Sequence, residues 1–290
     1  MKAKKAVCVA ALLAVAVMFG GCAETAINVA GEPVLQMLVK EISDTKSAHL
    51  ARDGMAGQLL LVTALCEMSP HNRDLLATTA FLYSAEGMFK EDTDLVMAKE
   101  MYKIGEDYGM RALKTNKKFR QALEEGKKIP EVVDLLDEDY VPALTWAGMN
   151  LGLGIVHNMD NPMALMAMPD AIALIKRSVE LDPDYYYGTG TLFLGAYYAL
   201  TPAFLGLGGG PENSAKKFDE ARALTDGKFL LVDVFEARYL ATFVDDQERF
   251  EALLNHVLEA DASQLPGGRL LNELAKLKAE LFLEQKNQFF

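Results

Sequence analysis

A short pattern of small and large residues, closed by a proline, constrains the fold of this chain more than any other feature. Ala171, Ile175 and Ser178 are four and three positions apart, and Pro183 follows five positions later. Such steps place side chains on one face of an α-helix. Small residues let another helix approach closely, the large residue fills the groove, and the proline ends the helix. The pattern therefore predicts the second helix of a packed pair.

Parts of this pattern recur along the chain. Two further segments match portions of such a unit: Ala98, Tyr102 and Gly105, and then Leu194, Gly195 and Tyr198. Successive predicted pairs of helices begin about 35 to 50 residues apart, the spacing at which helical repeats are expected. The pattern is typical of the tetratricopeptide repeat. A loose helical bundle can produce one such match by chance, but three in order favour a repeat array.

The remaining sequence also reads as helical. Apolar periodicity and turn signals predict helices at about 57–68, 73–88, 93–124, 143–156, 169–181, 185–204, 212–224, 229–243, 246–260 and 268–287. No short alternating run bounded by turn residues indicates a strand. The predicted fold is therefore all-α: a tetratricopeptide-like array of helical hairpins, an α-solenoid, forming a single domain over residues 55–290.

The N-terminal segment has the features of a secretory signal. A basic start and an apolar run from Ala6 to Phe19 are followed by Gly20, Gly21 and Cys22. Small residues directly before a cysteine predict a lipoprotein signal over residues 1–21 and lipidation of Cys22. An ordinary signal with a coincidental cysteine is the alternative. Ala23, the next residue, slightly favours the outer membrane.

Residues 22–54 are expected to form the lipid-anchor segment with an N-terminal helix or linker. The lipid would hold the protein at the periplasmic face of the envelope without a membrane-spanning helix.

Charge and cysteine content narrow the possible partners and stabilising bonds. Removing residues 1–21 takes away three lysines and no acidic residue, so the net charge changes from −12 to about −15. Nucleic acid is therefore not an expected partner, because its binding rewards clustered basic residues. Only Cys66 would remain as a free thiol, so no internal disulfide is expected. Its apolar helical context predicts a buried, unreactive side chain.

No arrangement typical of catalysis is apparent in the sequence. The four histidines are far apart and show no zinc-binding spacing: His49, His71, His157 and His256. The glycine-rich segments 188–193 and 206–211 follow no strand and lack the spacing of a phosphate-binding loop. We therefore expect no enzyme activity, no metal site and no cofactor.

Aromatic residues are concentrated between residues 185 and 204, a segment predicted to be one helix. Four of them step by seven, four and seven positions: Tyr186, Phe193, Tyr197 and Phe204. Other aromatic residues of this segment give the helix a second apolar face. A helix that is apolar on two faces is either buried or lines a cavity. These four residues are therefore candidates for lining a ligand site or pore, with core packing as the alternative.

The predicted helix around residue 146 adds two candidates. Trp146 and Met149 lie among Gly148, Gly152 and Gly154, and the four-residue spacing of the first two glycines permits close helix contact. Packing is the default interpretation of this helix, and contact with a ligand channel is the alternative.

Several longer blocks make the chain similar to a known family. They include LLLVTALCEMSPHNRDLL, ALTWAGMNLGLGI, IKRSVELDPDYYYGTGTLFLGAYYALTPAFLG, GGGPENSAKKFDEARAL and GKFLLVDVFEARYLATFVDDQERFEALLNHVL. In these blocks the chain resembles the T-component proteins of TRAP (tripartite ATP-independent periplasmic) transporters, which are tetratricopeptide lipoproteins of the periplasm. The resemblance covers about residues 55–285. The sequence departs from the repeat pattern where no proline follows Gly105.

The resemblance implies a helical solenoid that assembles as a trimer. It also implies binding to the solute-binding protein of a TRAP transporter, and a pore or cleft that admits a small hydrophobic ligand or an organic acid. It carries no catalytic residues. Two other hypotheses stay open: an envelope scaffold or assembly lipoprotein that binds proteins without ligand transport, and a periplasmic hydrolase with a dispersed site.

Overall fold

The computed structural model describes residue 37 and residues 39–41, 43–205 and 208–290. The predicted signal peptide, the lipidation site at Cys22 and most of the predicted segment 22–54 lie outside the described residues. Within the described ranges the chain is helical and contains no strand. The predicted all-α class is thereby confirmed.

Thirteen α-helices cover most of the described chain. They are α1 (Ala48–Met68), α2 (Arg73–Lys90), α3 (Leu95–Leu113), α4 (Lys117–Glu124), α5 (Ile129–Val132), α6 (Val141–Val156), α7 (Pro162–Leu165), α8 (Met168–Leu181), α9 (Tyr185–Leu200), α10 (Pro211–Leu224), α11 (Leu231–Phe235), α12 (Gln247–Glu259) and α13 (Arg269–Glu284). A π-helical segment, Glu236–Ala241, continues α11.

The helices begin where the sequence offers capping side chains. The side chains of Asn72, Asp94 and Asp246 accept hydrogen bonds from backbone N–H groups in the first turns of α2, α3 and α12. These N–H groups have no partner within the helix, so a cap stabilises each start by about 1 kcal/mol. Helices α6, α8 and α10 carry proline in the first turn, where a missing N–H group costs nothing.

The larger helices pack as successive antiparallel pairs. Helix α2 packs on α3, α6 on α8 and α9 on α10, while α6 also packs on α3 and α9 on α8. The segment that carries the complete sequence pattern, Ala171 to Ser178, lies on α8, the second helix of its pair. Ala171, Ile175 and Ser178 are all buried there. This confirms the predicted role of the pattern.

Helices α6 and α8 approach each other closely, as the pattern on α8 predicts. A Cβ atom built on Gly148 of α6 would lie 2.8 Å from Cγ1 of Ile175 on α8, which leaves no room for a larger side chain. Further along the same contact, Ser178 and Thr145 share a hydrogen bond of 2.6 Å between their hydroxyl oxygens. Shape and hydrogen bonding therefore fix the α6–α8 register together.

The array closes on itself because its last described helix packs against α1. Helix α13 contacts α1 as well as its hairpin partner α12. One continuous core of buried apolar side chains runs through all the major helices. Cys66 of α1 belongs to this core and shares a hydrogen bond of 3.1 Å with the hydroxyl of Thr79. Burial raises the pKa of its thiol, which agrees with the predicted buried state.

Two buried carboxylates join three helices in the C-terminal half. Asp233 of α11 and Glu236 of the π-helical segment both bind the guanidinium group of Arg222 from α10. Glu236 also binds Arg249 from α12, and Asp233 lies 2.7 Å from Nδ1 of His256. Buried charges need such partners, so this cluster fixes α10, α11 and α12 relative to one another.

The structure differs from the predicted helices at several places. Helix α1 begins at Ala48 rather than at residue 57, because Gly54 and Gly57 do not interrupt it despite their low helix propensity. The predicted helix 93–124 is two helices, since Asn116 caps α4 with its side chain. The aromatic helix predicted to reach residue 204 ends at Leu200.

Candidate ligand-binding cavities

Three aromatic rings from α2, α6 and α9 contact one another. The ring centroid of Phe81 lies 4.7 Å from that of Trp146 and 5.0 Å from that of Tyr186, and the last two are 5.0 Å apart. These are the distances of contacting aromatic pairs. Nε1 of Trp146 donates a hydrogen bond of 3.2 Å to the hydroxyl of Tyr185. We call Phe81, Trp146 and Tyr186 the aromatic cluster.

A left-handed turn at the start of α9 positions one ring of the cluster. Tyr186, Tyr187 and Gly188 have φ angles of 47°, 64° and 74°, which cost a non-glycine residue about 1–3 kcal/mol. The hydroxyl of Tyr187 donates to the carbonyl oxygen of Pro266 at 2.9 Å. Thr189 donates its hydroxyl hydrogen to the carbonyl oxygen of Tyr186 at 2.6 Å. These hydrogen bonds therefore hold the strained turn in place, and the turn directs the ring of Tyr186 into the cluster.

The four aromatic residues predicted to share one helical face are separated by the structure. Tyr186 lies in the left-handed turn, whereas Phe193 and Tyr197 are in the regular part of α9. Phe204 lies beyond the end of α9, in the 3₁₀ turn Ala203–Leu205, and 87% of its surface is exposed. The seven-residue steps do not apply across the turn or beyond the helix end.

The aromatic cluster separates two empty spaces. A groove of about 410 Å³, the aromatic groove, is lined on its inner side by all three rings. Behind them, a central cavity of about 40 Å³ is lined by the same rings and by Met149. The central cavity is far below the ~300 Å³ at which small-molecule sites begin. In this conformation, three of the predicted candidates, Trp146, Met149 and Tyr186, pack tightly around it.

The other two helical candidates line a larger cavity on the side of the array. Phe193 and Tyr197 contribute to a lateral cavity of about 320 Å³, together with Phe235 and Tyr239. Thr201 is the lining residue with an aliphatic hydroxyl, and the rest are apolar or tyrosine. The volume and the apolar lining suit a small hydrophobic molecule.

A more polar cavity of about 650 Å³ adjoins the lateral cavity. Its lining includes the charged side chains of Glu91, Asp92, Arg238 and Lys278, together with Tyr239. His157, Thr242, Gln288 and several aromatic and aliphatic side chains complete its walls. We call it the polar cavity.

Glu91 is the centre of the polar network. Its carboxylate accepts hydrogen bonds from Lys278 at 2.7 Å and from the hydroxyl of Tyr102, and it lies 2.9 Å from Nε2 of His157. Lys278 also donates to Asp92. The side chains of Glu91 and Lys278 are 7% and 4% exposed, so neither charge is stabilised by bulk water.

The network determines which groups carry charge. Burial raises the pKa of Glu91, but the Lys278 ammonium group and the hydrogen bond with His157 lower it by more, to about 2. Burial lowers the pKa of Lys278, but Glu91 and Asp92 together raise it above its ordinary value. Burial raises the pKa of Tyr239 well above its usual range. The cavity therefore presents a paired carboxylate, a paired ammonium group and a neutral phenol at pH 7.

The cavities form a row through the array. The aromatic groove and the central cavity share Phe81, Trp146 and Tyr186. Phe235 lines the central, lateral and polar cavities alike. The aromatic cluster and Phe235 therefore occupy the places where adjoining cavities meet.

Sequence reasoning did not identify Glu91, Lys278 or Arg238. Glu91 lies in an acidic turn that resembles a solvated helix end. Lys278 gives one usable signal, because it occupies the apolar face of α13, four residues from both Leu274 and Phe282. A lysine on such a face predicts a buried partner, although not which one.

The described residues contain no grouping of three or more potential metal ligands. His157 and His256 are each hydrogen-bonded to a carboxylate, of Glu91 and Asp233, and they belong to two different clusters. The dispersed histidines of the sequence are not brought together into one site by these contacts.

None of the described helices combines the length and the hydropathy required to span a bilayer. A family model described as "TRAP transporter T-component" matches residues 45–290, which include the whole lining of the lateral and polar cavities. The sequence matches no curated protein at a significant level.

Proposed function

Since the chain belongs to the TRAP transporter T-component family, we propose that it is a lipid-anchored periplasmic component of such a transport system. It binds the solute-binding protein of the transporter and a small ligand. The observation that carries the ligand role is the row of cavities between the aromatic groove and the polar cavity. A scaffold that binds only proteins would not need such cavities.

Attachment to the envelope is assigned to Cys22, after removal of residues 1–21. Residues 22–54, the last seven of which already belong to α1, connect the lipid to the helical array. Lipidation would place the array at the periplasmic face of the membrane, with the outer membrane favoured by Ala23. Globomycin-sensitive processing in cells, and its loss in Cys22→Ser, would test this assignment.

An apolar rim beside the lateral cavity supports the partner role. Met163 and Met166 are 71% and 72% exposed, and Phe204 is 87% exposed. Met159 and Pro202, their neighbours in sequence, line the lateral cavity. Exposed apolar patches mark interaction sites, and methionine-rich ones adapt to their partners. We assign this rim to the solute-binding protein, so that a ligand passes between partners without crossing water.

Oligomer formation is proposed through α1. Leu50, Leu61 and Met68 are exposed on this helix, at 69%, 55% and 52%. Exposed Gly54, Gly57 and Ala64 fill the positions between them, giving alternating steps of four and three residues. This spacing is typical of a coiled-coil seam. We propose that three copies meet along it, and sedimentation equilibrium of Leu61→Glu would show monomers.

A pulldown from a periplasmic extract tests the transport role. The bait is the chain without residues 1–22, tagged at Phe290. Proteins that stay bound at low and at moderate salt are identified by mass spectrometry. We expect a TRAP-type solute-binding protein that is released by salt, because the mature bait carries a net charge of about −15. Native mass spectrometry of the bait should show small molecules that co-purify.

A double variant, Met163→Ser with Met166→Ser, should reduce the captured solute-binding protein. The control, Leu95→Ser, removes another exposed apolar side chain, 42% exposed, from outside the rim. Capture of envelope-assembly proteins alone, or of nothing, would withdraw the transport role and leave the scaffold alternative.

A further inference from the structure

Arg238 differs from the other arginines whose side chains the structure describes. The other seven each have a carboxylate oxygen within 4.0 Å: Arg73, Arg111, Arg120, Arg177, Arg222, Arg249 and Arg269. Arg238 has no such ion pair among the described residues. This is unusual in a chain with 41 acidic and 29 basic residues, where carboxylates are plentiful.

The groups around Arg238 hold its guanidinium group in place without neutralising the positive charge. Its guanidinium carbon lies 4.6 Å from the ring centroid of Phe289 and 5.8 Å from that of Tyr239. Aromatic faces attract a cation but carry no net charge. The two rings therefore hold the guanidinium group against the wall of the polar cavity, where it can still bind an anion.

Tyr239 supplies a second polar group beside the guanidinium. Its hydroxyl has no hydrogen-bond partner among the described residues, although the ring is packed against the core. Burial raises the pKa of this phenol, so the hydroxyl stays protonated and can donate. Tyr239 lines both the polar and the lateral cavities, which places it where the two meet.

Both residues lie on the π-helical segment Glu236–Ala241. A π-helical turn inserts one residue into an α-helix and changes the direction of the side chains around it, which is why such turns are frequent at functional sites. Here the buried carboxylate of Glu236 faces the half-exposed arginines of α10 and α12, while Arg238 and Tyr239 line the polar cavity.

We propose that Arg238 and Tyr239 bind the head group of a carboxylate amphiphile, whose apolar chain occupies the lateral cavity. The planar guanidinium group matches a carboxylate, with two parallel N–H donors. Tyr239 donates to the same carboxylate from the cavity junction. The lateral cavity, lined by Phe193 and Tyr197, accepts the chain.

The charges of the polar cavity restrict the head group to one negative charge. Lys278 is already balanced by Glu91 and Asp92, so Arg238 is the cation left to bind a ligand. A phosphate monoester carries about two negative charges at pH 7 and would meet Glu91 and Asp92 uncompensated. The site therefore favours a monocarboxylate over a dianionic head group.

This inference rests on the proposed ligand role but not on the identity of the protein partner. The test uses the chain truncated after Cys22 and isothermal titration with decanoate, 1-decanol and decyl phosphate at pH 7. The first two differ in the head group alone. A charge-assisted hydrogen bond contributes about 1.5–3 kcal/mol, so decanoate should bind about 10- to 100-fold more tightly than decanol. Decyl phosphate should bind more weakly than decanoate.

Arg238→Gln should abolish this preference by weakening decanoate binding about 10- to 100-fold, with decanol affinity changed less than about twofold. Arg238→Lys should retain part of the preference, and Tyr239→Phe should lose a smaller part. Arg120→Gln is the matched control, since it removes an exposed arginine whose nearest carboxylate, of Glu124, is 4.0 Å away. Thermal unfolding of each variant verifies that it is folded.

Equal affinity for decanoate and decanol, or an Arg238→Gln variant that keeps the preference, would overturn the inference. Absence of binding by all three probes would also overturn it. A solute-binding protein captured in the pulldown would still support the transport role in any of these cases, so the two proposals fail separately.

Discussion

The Nζ atom of Lys278 lies 2.7 Å from Oε1 of Glu91, although the two residues are 187 positions apart in the sequence. Glu91 follows the last turn of α2, and Lys278 lies in the middle of α13. The pair joins an early helix of the array to its last one, with both side chains almost completely buried. The ion pair therefore adds an electrostatic contact between α13 and the early helices, beside the packing of α13 on α1.

Replacing Lys278 with methionine should destabilise the protein by about 3–5 kcal/mol, the cost of leaving a buried charge without its partner. Urea denaturation of the chain truncated after Cys22 would measure the loss. Glu91→Gln combined with Lys278→Met should cost less than the sum of the single changes by about 1 kcal/mol or more, because the residues interact directly.

The control is an exposed pair of similar geometry. Lys103 and Glu106 are 2.8 Å apart, but the lysine side chain is 76% exposed. Lys103→Met should change the free energy of unfolding by less than about 1 kcal/mol. Equal effects of the two lysine substitutions would show that burial of Lys278 contributes nothing.

Stability should fall in acid through the protonation of Glu91. Its pKa is about 2 in the folded protein and 4.5 ordinarily, so the unfolded chain takes up the proton first as the pH falls. The stabilising contribution is fully present above pH 4.5 and is lost towards pH 2. It amounts to about 3 kcal/mol.

Urea denaturation at pH 6, 4.5 and 3 would measure this change. Glu91→Gln should flatten the dependence in that window, whereas Glu106→Gln should leave it as in the parent. If the free energy of unfolding fell equally with pH in the parent and in Glu91→Gln, the loss could not be attributed to Glu91.

Two glycines at the contact between α3 and α6 should respond oppositely to alanine. A Cβ atom on Gly109 would lie 2.7 Å from the backbone Cα atom of Ala147, so Gly109→Ala must push the helices apart at a cost of about 1–3 kcal/mol. A Cβ atom on Gly154 would meet Tyr102 at 3.7 Å, an ordinary contact. Gly154→Ala should therefore be neutral or stabilising by up to about 1 kcal/mol.

Thermal and urea unfolding of both variants would show the difference. A Gly109→Ala protein as stable as the parent would mean that α3 and α6 approach less closely than the structure has them.

Trp146 gives a direct probe of the aromatic cluster, because it is the one tryptophan of the chain. Its side chain is buried, so iodide should quench its fluorescence weakly. Tyr186→Ala removes a ring that packs edge-on against Trp146 in the wall of the aromatic groove. Quenching should therefore increase, while stability falls by about 3–5 kcal/mol. Tyr197→Ala enlarges the lateral cavity instead and should leave quenching unchanged. Similar quenching in Tyr186→Ala and Tyr197→Ala would contradict the separation of the aromatic groove from the lateral cavity.

Local sequence signals predicted most helices because their causes are local. The apolar period, the capping side chains and the prolines act within a few residues, and the helices around Ala171 and Leu194 appear as expected. The start of α1 was missed since packing against α2 outweighs the low helix propensity of Gly54 and Gly57. The π-helical segment has no sequence signal that we recognise.

The candidate site was only partly predictable. Trp146 and Phe193 are buried in the core and also line cavities, and their role in ligand binding stays a prediction. The turn at Tyr186 could not be expected, because tyrosine disfavours left-handed angles and distant contacts hold it there. The Glu91–Lys278 pair forms because the curvature of the whole array brings α2 and α13 together. No local sequence pattern predicts that curvature.

Closure of the array has a consequence for how such a chain can evolve. An open solenoid lengthens or shortens by whole repeats, since each unit touches only its neighbours. Here a duplicated or deleted hairpin would separate α13 from α1 and leave the charge of Lys278 buried without Glu91. The number of repeats is therefore fixed by geometry, as the number of blades is in a propeller, and variation among descendants should be confined to loops and cavity walls.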